Sequence, residues 1–268
     1  MKKSIISTLI LGIIVFTMTS CAMLNRNSEI QSSVYNPVIA HRGAWKALQL
    51  PQNSIASLNQ AIALKCYGSE FDVHLTKDNI LVVNHDHDFF GINIEQVTYE
   101  ELLTKKLSNG ESIPTAEAYL KAGLKQKKTK LILELKPSKL GKERTLEAAE
   151  RVVKLIKKLK AENMVEYISF SYDAIMKIKE LLPKAKVAYL NGGIAPQQLK
   201  QDGIDGLDYH FSEYNKNPTW INDAHQLGLT INAWTVNNPM DMKNLIAQKV
   251  AFITTDEPEL LMKVLAEK

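Results

Sequence analysis

Residues 39–86 hold most of the reactive side chains: Ile39-Ala40-His41-Arg42-Gly43, Pro51-Gln52-Asn53, Glu70-Phe71-Asp72, Thr76-Lys77-Asp78-Asn79 and His85-Asp86. The stretch begins as a short strand over 38–41. A helix follows over 53–65, with Ile55, Leu58 and Ile62 on one face, and then a second strand over 68–73. Glu70 and Asp72 stand two apart on that strand, so they point to one face. A third acid, Glu134, ends the next apolar run at 131–135, and Lys136 follows at the same spacing.

The apolar run at 80–84 decides the local topology. It follows the second strand after only a few residues, whereas a parallel return needs a crossover of about a dozen. The run must therefore come back antiparallel, as a hairpin arm. With Asp78-Asn79 as the loop, His85 falls opposite Asp72; with Lys77-Asp78, it falls opposite Glu70. Either register puts the imidazole on the face of the carboxylates, and a three-residue loop would not. Residues 87–112 then form a small insertion over the mouth, which leaves His87 and Asp88 past the end of the hairpin.

Beyond this stretch, strands over 167–170, 186–190, 206–209, 229–234 and 251–254 alternate with helices over 115–126, 172–182, 196–202, 217–227, 238–248 and 259–266. A longer helix is marked by Leu146, Ala149, Val153 and Ile156. Eight strand–helix units imply a parallel sheet closed into a (β/α)₈ TIM barrel. The hairpin arm and the insertion after strand 2 are additions to it. His41, Glu70, Asp72, Glu134 and Lys136 all lie at the carboxyl ends of neighbouring strands, the face that carries barrel active sites. Three convergent carboxylates repel one another unless a cation joins them, and an all-oxygen ligand set suits Ca²⁺ or Mg²⁺.

The first 20 residues read as an export signal: Lys2 and Lys3, an apolar run over 5–18, then Thr19-Ser20-Cys21. That apolar run is too short to span a bilayer. The small residues before Cys21 look like a bacterial lipobox, with Met18 at a position more often Leu. An ordinary signal with an incidental cysteine is the alternative; the lipoprotein reading places the protein on an exported, membrane-anchored face. Residues 21–36 form a polar tether, and 37–268 form the barrel domain. Without the leader the chain keeps 31 basic and 29 acidic residues, too even a balance for nucleic acid. Cys66 has no partner for a disulfide and reads as a buried, inert thiol.

The motifs resemble the glycerophosphodiester phosphodiesterase family of phospholipase C-like barrels. The matching residues are His41-Arg42-Gly43, Pro51-x-Asn53, Glu70-x-Asp72, Thr76-x-Asp78, His85-Asp86, Ile113-Pro114-Thr115, Glu134-x-Lys136, Ser169-Phe170, Ala233-Trp234-Thr235-Val236-Asn237 and Thr255-Asp256-x-Pro258. They run over nearly the whole mature chain. The resemblance implies hydrolysis of glycerophosphodiesters to sn-glycerol 3-phosphate and an alcohol. It implies that Glu70, Asp72 and Glu134 bind the metal, that His41 and His85 are general acid and base, and that Arg42 and Lys136 contact the phosphate. It also implies a diacyl or triacyl group on Cys21. Trp234 has inward parity at the top of the seventh strand, and the resemblance favours it as a wall of the cleft. Trp45 is poised for the cleft or for packing, and Asn53 for site support or helix capping. His74, His210 and His225 read as structural or exposed. Gln52 departs from the family's usual Glu and Ser54 from its frequent Thr. A glycosidase using Glu70 and Glu134 would leave the histidines, Arg42 and Lys136 without roles. A non-catalytic capture lipoprotein would be expected to have lost a ligand or a histidine, and none is lost.

Overall fold

The computed structural model describes residues 35–267. Its strands are β1 (Val38–Ala40), β2 (Gly68–Leu75), β3 (Leu81–Val83), β4 (Asp88–Phe89), β5 (Ile92–Asn93), β6 (Lys130–Leu135), β7 (Val165–Ser169), β8 (Val187–Tyr189), β9 (Gly206–His210), β10 (Thr230–Trp234) and β11 (Phe252–Thr255). Its helices are α1 (Ile55–Ala63), α2 (Tyr99–Leu102), α3 (Ala116–Gly123), α4 (Lys142–Leu159), α5 (Tyr172–Leu181), α6 (Pro196–Gln201), α7 (Phe211–Lys216), α8 (Trp220–Leu227), α9 (Pro239–Ala247) and α10 (Pro258–Ala266). Eight parallel strands run in the order β1-β2-β6-β7-β8-β9-β10-β11, and β1 pairs with both β2 and β11 to close the barrel. The expected (β/α)₈ architecture is therefore present. One difference is that the link from β9 to β10 holds two helices, α7 and α8, where the sequence suggested one. The expected export signal, Cys21 and the tether up to residue 34 lie outside the described residues. Asn36, assigned to the tether, already belongs to the barrel: its Nδ2 donates to the Lys65 carbonyl at 2.9 Å.

Strand alternation explains the two apolar layers. On β6, Leu131, Leu133 and Leu135 face the helices, and Ile132 and Glu134 face inward. On β2, Phe71 and Val73 pack outward, and Phe71 stacks on Tyr119 of α3 at 4.4 Å between centroids. The helix α4 shows the complementary pattern, burying Ala148, Ala149, Val152, Val153 and Ile156 on one stripe. Each Val or Ile so buried contributes roughly 1.5–3 kcal/mol relative to exposure. Inside the barrel, Ile39, Ile132, Ile168 and Leu190 make a smaller core beneath the mouth.

The hairpin corrects one expectation. Its loop has three residues, Lys77-Asp78-Asn79, and the register is Leu75↔Leu81, His74↔Val82 and Val73↔Val83. Thr76 fixes this turn: its Oγ1 accepts from the Ile80 N–H at 2.9 Å and donates to Asp78 Oδ1 at 2.6 Å. Asn79 takes the left-handed conformation (φ 69°) that closes it. Continued pairing in this register would place His85 opposite Phe71, on the wrong face. The ladder stops at Val83 instead. Asn84 donates its backbone N–H to the Asp72 carbonyl, and its Nδ2 donates to the carbonyls of Asp86 and Asp88, holding a bend. That bend turns His85 into the mouth.

The insertion has its own core of Val82, Phe89, Ile94, Leu102 and Ile113. It is bonded to two neighbouring loops. Glu95 accepts from Ser138 Oγ and from the Lys139 N–H at 3.0 Å. Glu111 accepts from the first backbone N–H groups of α1, Ile55 at 3.0 Å and Ala56 at 3.2 Å. A carboxylate at a helix N-terminus satisfies orphan donors and meets the positive end of the dipole. We expect Glu111→Ala to lower unfolding stability by about 1–2 kcal/mol in urea denaturation. An unchanged midpoint would show that this clamp contributes nothing.

Candidate active site

The site is built on the carboxyl ends of β1, β2 and β6. Arg42 and Gly43 are both left-handed (φ 57° and 79°), which turns the chain sharply after β1. A Cβ on Gly43 would lie 2.4 Å from Ser57 Oγ, so only glycine fits against α1 here. The turn aims the Arg42 backbone N–H at Glu70 Oε2, 2.8 Å away. Asn53 does not cap α1; Ser54 does, in a capping box with Ser57. Asn53 instead clamps Asp72: its Nδ2 donates to Oδ2 at 2.8 Å, and its Oδ1 accepts from the Asp72 N–H at 3.1 Å.

Glu70, Asp72 and Glu134 are all buried, and one oxygen from each lies within 4.8 Å of the others. Glu70 Oε1 has no hydrogen-bond partner. Lys136 Nζ stands 2.9 Å from Asp72 Oδ1 and 2.7 Å from Glu134 Oε1 as an ion-pair neighbour. Burial pushes Glu70 well above the usual carboxylate range, helped by the charges of Asp72 and Glu134. Burial, then Asp72, pushes Glu134 up to about 8. Burial also acts upward on Asp72, but Lys136, His85 and the Asn53 amide outweigh it and hold Asp72 at about 2. Three buried acids converging on one point, with Glu70 Oε1 unpartnered and the other two sharing a single ammonium, form a hard-cation donor set. The residues present fit a divalent metal.

Two imidazoles, His41 and His85, line one cavity with Glu70 and Glu134. His41 Nδ1 lies 2.8 Å from Asp256 Oδ1. Asp256 is itself fixed by Asn237, whose Nδ2 donates to Oδ2 at 2.8 Å. Burial acts to raise the Asp256 carboxyl, but the His41 contact prevails and lowers it. His85 Nδ1 lies 2.7 Å from Asp86 Oδ1, and the His85 carbonyl accepts from His74 Nε2 at 3.2 Å. Burial lowers the His85 pKa, and the attraction of Asp72 only partly opposes this. Arg42 donates from Nη1 to Gln52 Oε1 at 2.6 Å, while its Nε has no acceptor in the protein. The cavity, of about 90 Å³, is closed on its other side by Phe170, Leu190 and Trp234. Trp234 meets Phe170 edge-on at 5.6 Å. Trp45 does not line it. A second cavity, of about 150 Å³, opens at the amino end of the barrel. Two of its acids, Glu166 and Asp205, are engaged by Tyr67 and Lys179, and the third, Asp208, also lines the catalytic cavity.

A model of the glycerophosphoryl diester phosphodiesterase family matches residues 41–260. The chain belongs to this family. A glycerophosphodiester phosphodiesterase of Caldanaerobacter subterraneus is 30% identical over 247 residues, covering 85% of this chain and 96% of that one. The crystal structure of a glycerophosphodiester phosphodiesterase from Parabacteroides distasonis has a TM-score of 0.84 at 47% identity and covers 87% of this chain and 98% of that one. An Oleispira antarctica phosphodiesterase, solved with its product sn-glycerol-3-phosphate, has a TM-score of 0.76 at 25% identity and covers 88% and 98%. The chain is a glycerophosphodiester phosphodiesterase.

Two residues of this phosphodiesterase's mouth carry roles that strand reading did not assign. Asp256 backs His41, although its position at the end of β11 obeys the same rule that selected Glu70 and Glu134. Asp208 lies on β9, directly across the barrel from β2. It is 2% exposed, and its Oδ1 accepts nothing. Burial pushes its carboxyl up to about 7, against a weaker pull from Asn232. His74, expected to be structural or exposed, is buried and structural: it holds the bend that carries His85.

The Asp208 shift has a sign that can be tested. Its folded value lies above the 3.8 of an unfolded Asp, so folding favours the protonated form. The wild type should lose stability relative to Asp208→Asn as pH rises from about 4 to about 7, by up to about 4 kcal/mol, and hold that difference above pH 7. Urea titrations of both proteins across the window measure it; parallel curves would show that the carboxylate is compensated.

Proposed function

We propose that this enzyme hydrolyses glycerophosphodiesters to sn-glycerol 3-phosphate and an alcohol, using Ca²⁺ or Mg²⁺ held by Glu70, Asp72 and Glu134 and proton exchange by His41 and His85. The observation that carries the reading is the convergence of three buried carboxylates, with Glu70 Oε1 left without a partner, beside a cavity that two carboxylate-backed imidazoles line. The product bound to the Oleispira antarctica relative supports the choice of substrate.

When bound, the cation would offset the three carboxylates and draw charge from the phosphate oxygens. Arg42 offers the phosphate an Nε–H that no protein group accepts, and Lys136 adds positive charge on the same side. Asp256 holds His41 through Nδ1, leaving Nε2 for the substrate. One imidazole removes the proton of the glycerol hydroxyl beside the phosphate as that oxygen attacks phosphorus. The other protonates the departing alkoxide. Water then opens the cyclic phosphate, with the two proton roles reversed. Trp234 and Phe170 close the apolar side against the carbon skeleton of the substrate.

The decisive assay is release of glycerol 3-phosphate from glycerophosphocholine, with and without EDTA. Chelation should abolish it, and Ca²⁺ or Mg²⁺ should restore it. His41→Ala and His85→Ala should each lower kcat by about 10²–10⁴ with unfolding unchanged. Full activity after chelation would remove the metal from the mechanism, and full activity of either variant would remove that histidine.

We further propose that Cys21 is lipidated and anchors the exported protein on a bacterial membrane, on its periplasmic or cell-surface side. Among the described residues no helix is long and apolar enough to cross a membrane. Labelled palmitate fed to expressing cells should mark the wild type and not Cys21→Ser; equal labelling of the two would reject the anchor.

A further inference from the structure

Asp208 takes no part in the reaction above, and its place in the barrel is costly. Leu207 and Tyr209 pack outward in the main core, so strand alternation turns the Asp208 side chain into the barrel. It shares that interior with Ile39, Ile132, Ile168 and Leu190. No cation among the described residues offsets it: burial dominates its carboxyl, and Asn232, its register partner on β10, opposes only weakly. Asn232 in turn donates from Nδ2 to Thr254 Oγ1 at 2.8 Å. Asp208 Oδ1 is left with no partner. Buried acceptors are nearly always paired, and an unpaired one carries a cost that an apolar residue here would avoid.

Asp208 and Ile168 are the two residues that line both the catalytic cavity and the cavity at the amino end of the barrel. They therefore form the floor between the two. His210, two residues nearer the mouth on the same face, is half-buried, whereas Asp208 is buried. Asp208 is also no part of the group of acids that converge for a cation. The catalytic cavity thus has acids, Arg42 and Lys136 on one side and an unpaired acceptor at its floor.

We propose that Asp208 accepts a hydrogen bond from the terminal hydroxyl of the substrate's glycerol, the one not adjacent to the phosphate, and so selects fully deacylated diesters. The proposal rests on the substrate reading above. A phosphodiester anion has no donor of its own, and the glycerol hydroxyl beside the phosphate is the attacking group. The terminal hydroxyl remains, and it needs an acceptor once it leaves water. The alcohol departs through the mouth, whereas the glycerol stays behind as the cyclic phosphate. The closed floor therefore belongs to the glycerol end, with Ile168, Leu190 and Phe170 along its carbons. An acyl group on that hydroxyl would remove the donor and press an ester against the carboxyl oxygen. A site built around a substrate hydroxyl discriminates in this way because its own buried group is otherwise left unpaired.

The test compares kcat/KM for glycerophosphocholine with that for 2-hydroxypropyl phosphocholine, which keeps the attacking hydroxyl and lacks the terminal one. The wild type should prefer glycerophosphocholine by about 10²-fold. In Asp208→Ala that preference should shrink by about tenfold or more, whereas Asp208→Asn, whose amide oxygen still accepts, should keep most of it. A merely structural role would lower turnover of both compounds together and leave their ratio unchanged. An unchanged ratio in Asp208→Ala, or equal turnover of the two compounds by the wild type, overturns the proposal and leaves the substrate reading standing. So does a shift in Asp208→Ala of the preference between glycerophosphocholine and glycerophosphoethanolamine with the first ratio intact, which would turn the carboxylate toward the head group. A wild type that hydrolyses no glycerophosphodiester rejects the substrate reading and the proposal with it. If Asp208→Ala does not fold, Asp208→Val, which fills the space without an acceptor and suits a strand, gives the same ratio.

Discussion

The structure depends on keeping three carboxylates together where water does not reach them. Desolvation and mutual repulsion both oppose ionisation of such a cluster, and the values of Glu70 and Glu134 show that opposition. Much of the local sequence works against it. The left-handed turn at Arg42 and Gly43 brings a backbone N–H to Glu70, Asn53 gives both its amide atoms to Asp72, and Lys136 stands between Asp72 and Glu134. One oxygen, Glu70 Oε1, is left without a partner among them. The protein holds the acids in place against their mutual repulsion, as expected where folding energy is spent on a binding geometry.

The two histidines are positioned by different means. His41 ends a barrel strand and is steadied by Asp256 and Asn237 from the adjoining end of the sheet, so its placement follows from barrel closure. His85 belongs to no barrel strand. Its imidazole reaches the cavity through a bend whose carbonyl is held by His74 and whose entry is held by Asn84. The insertion beyond that bend has its own apolar core and is bonded to α1 and to the β6–α4 loop. The accessory layer is thus what fixes the second imidazole relative to the first.

The barrel was readable because alternation of period two and the strand–helix rhythm survive in the sequence. The same parity identified Glu70, Asp72 and Glu134 as neighbours. The hairpin register was not readable, since it turned on one loop residue, and Thr76 selects a three-residue turn through its hydroxyl. His85 still reaches the site because the ladder ends before the wrong parity takes effect. Asn53 was ambiguous because an Asn before a helix caps it as readily as it reaches sideways; only the fold reveals Asp72 beside it. Asp256 could have been found by applying the strand-end rule to the last strand as well as the first three. Asp208 could be placed inside the barrel by parity, but its lack of a partner is a property of neighbours that the local sequence does not name.

Gln52 is the departure whose meaning changes most once the geometry is known. It still binds Arg42, through a neutral amide oxygen. A carboxylate in its place would hold the guanidinium as firmly but would add a fourth negative charge to the metal side. With Gln52, the proposed divalent ion together with Arg42 and Lys136 outweighs Glu70, Asp72 and Glu134 by one positive charge, matching the single negative charge of a phosphodiester. The guanidinium also keeps a free Nε donor, with the Asp72 carboxylate 3.9 Å away. Holding Arg42 through a neutral group therefore leaves its charge less compensated than a carboxylate would. The substitution changes the electrostatic balance of the mouth and leaves its architecture intact.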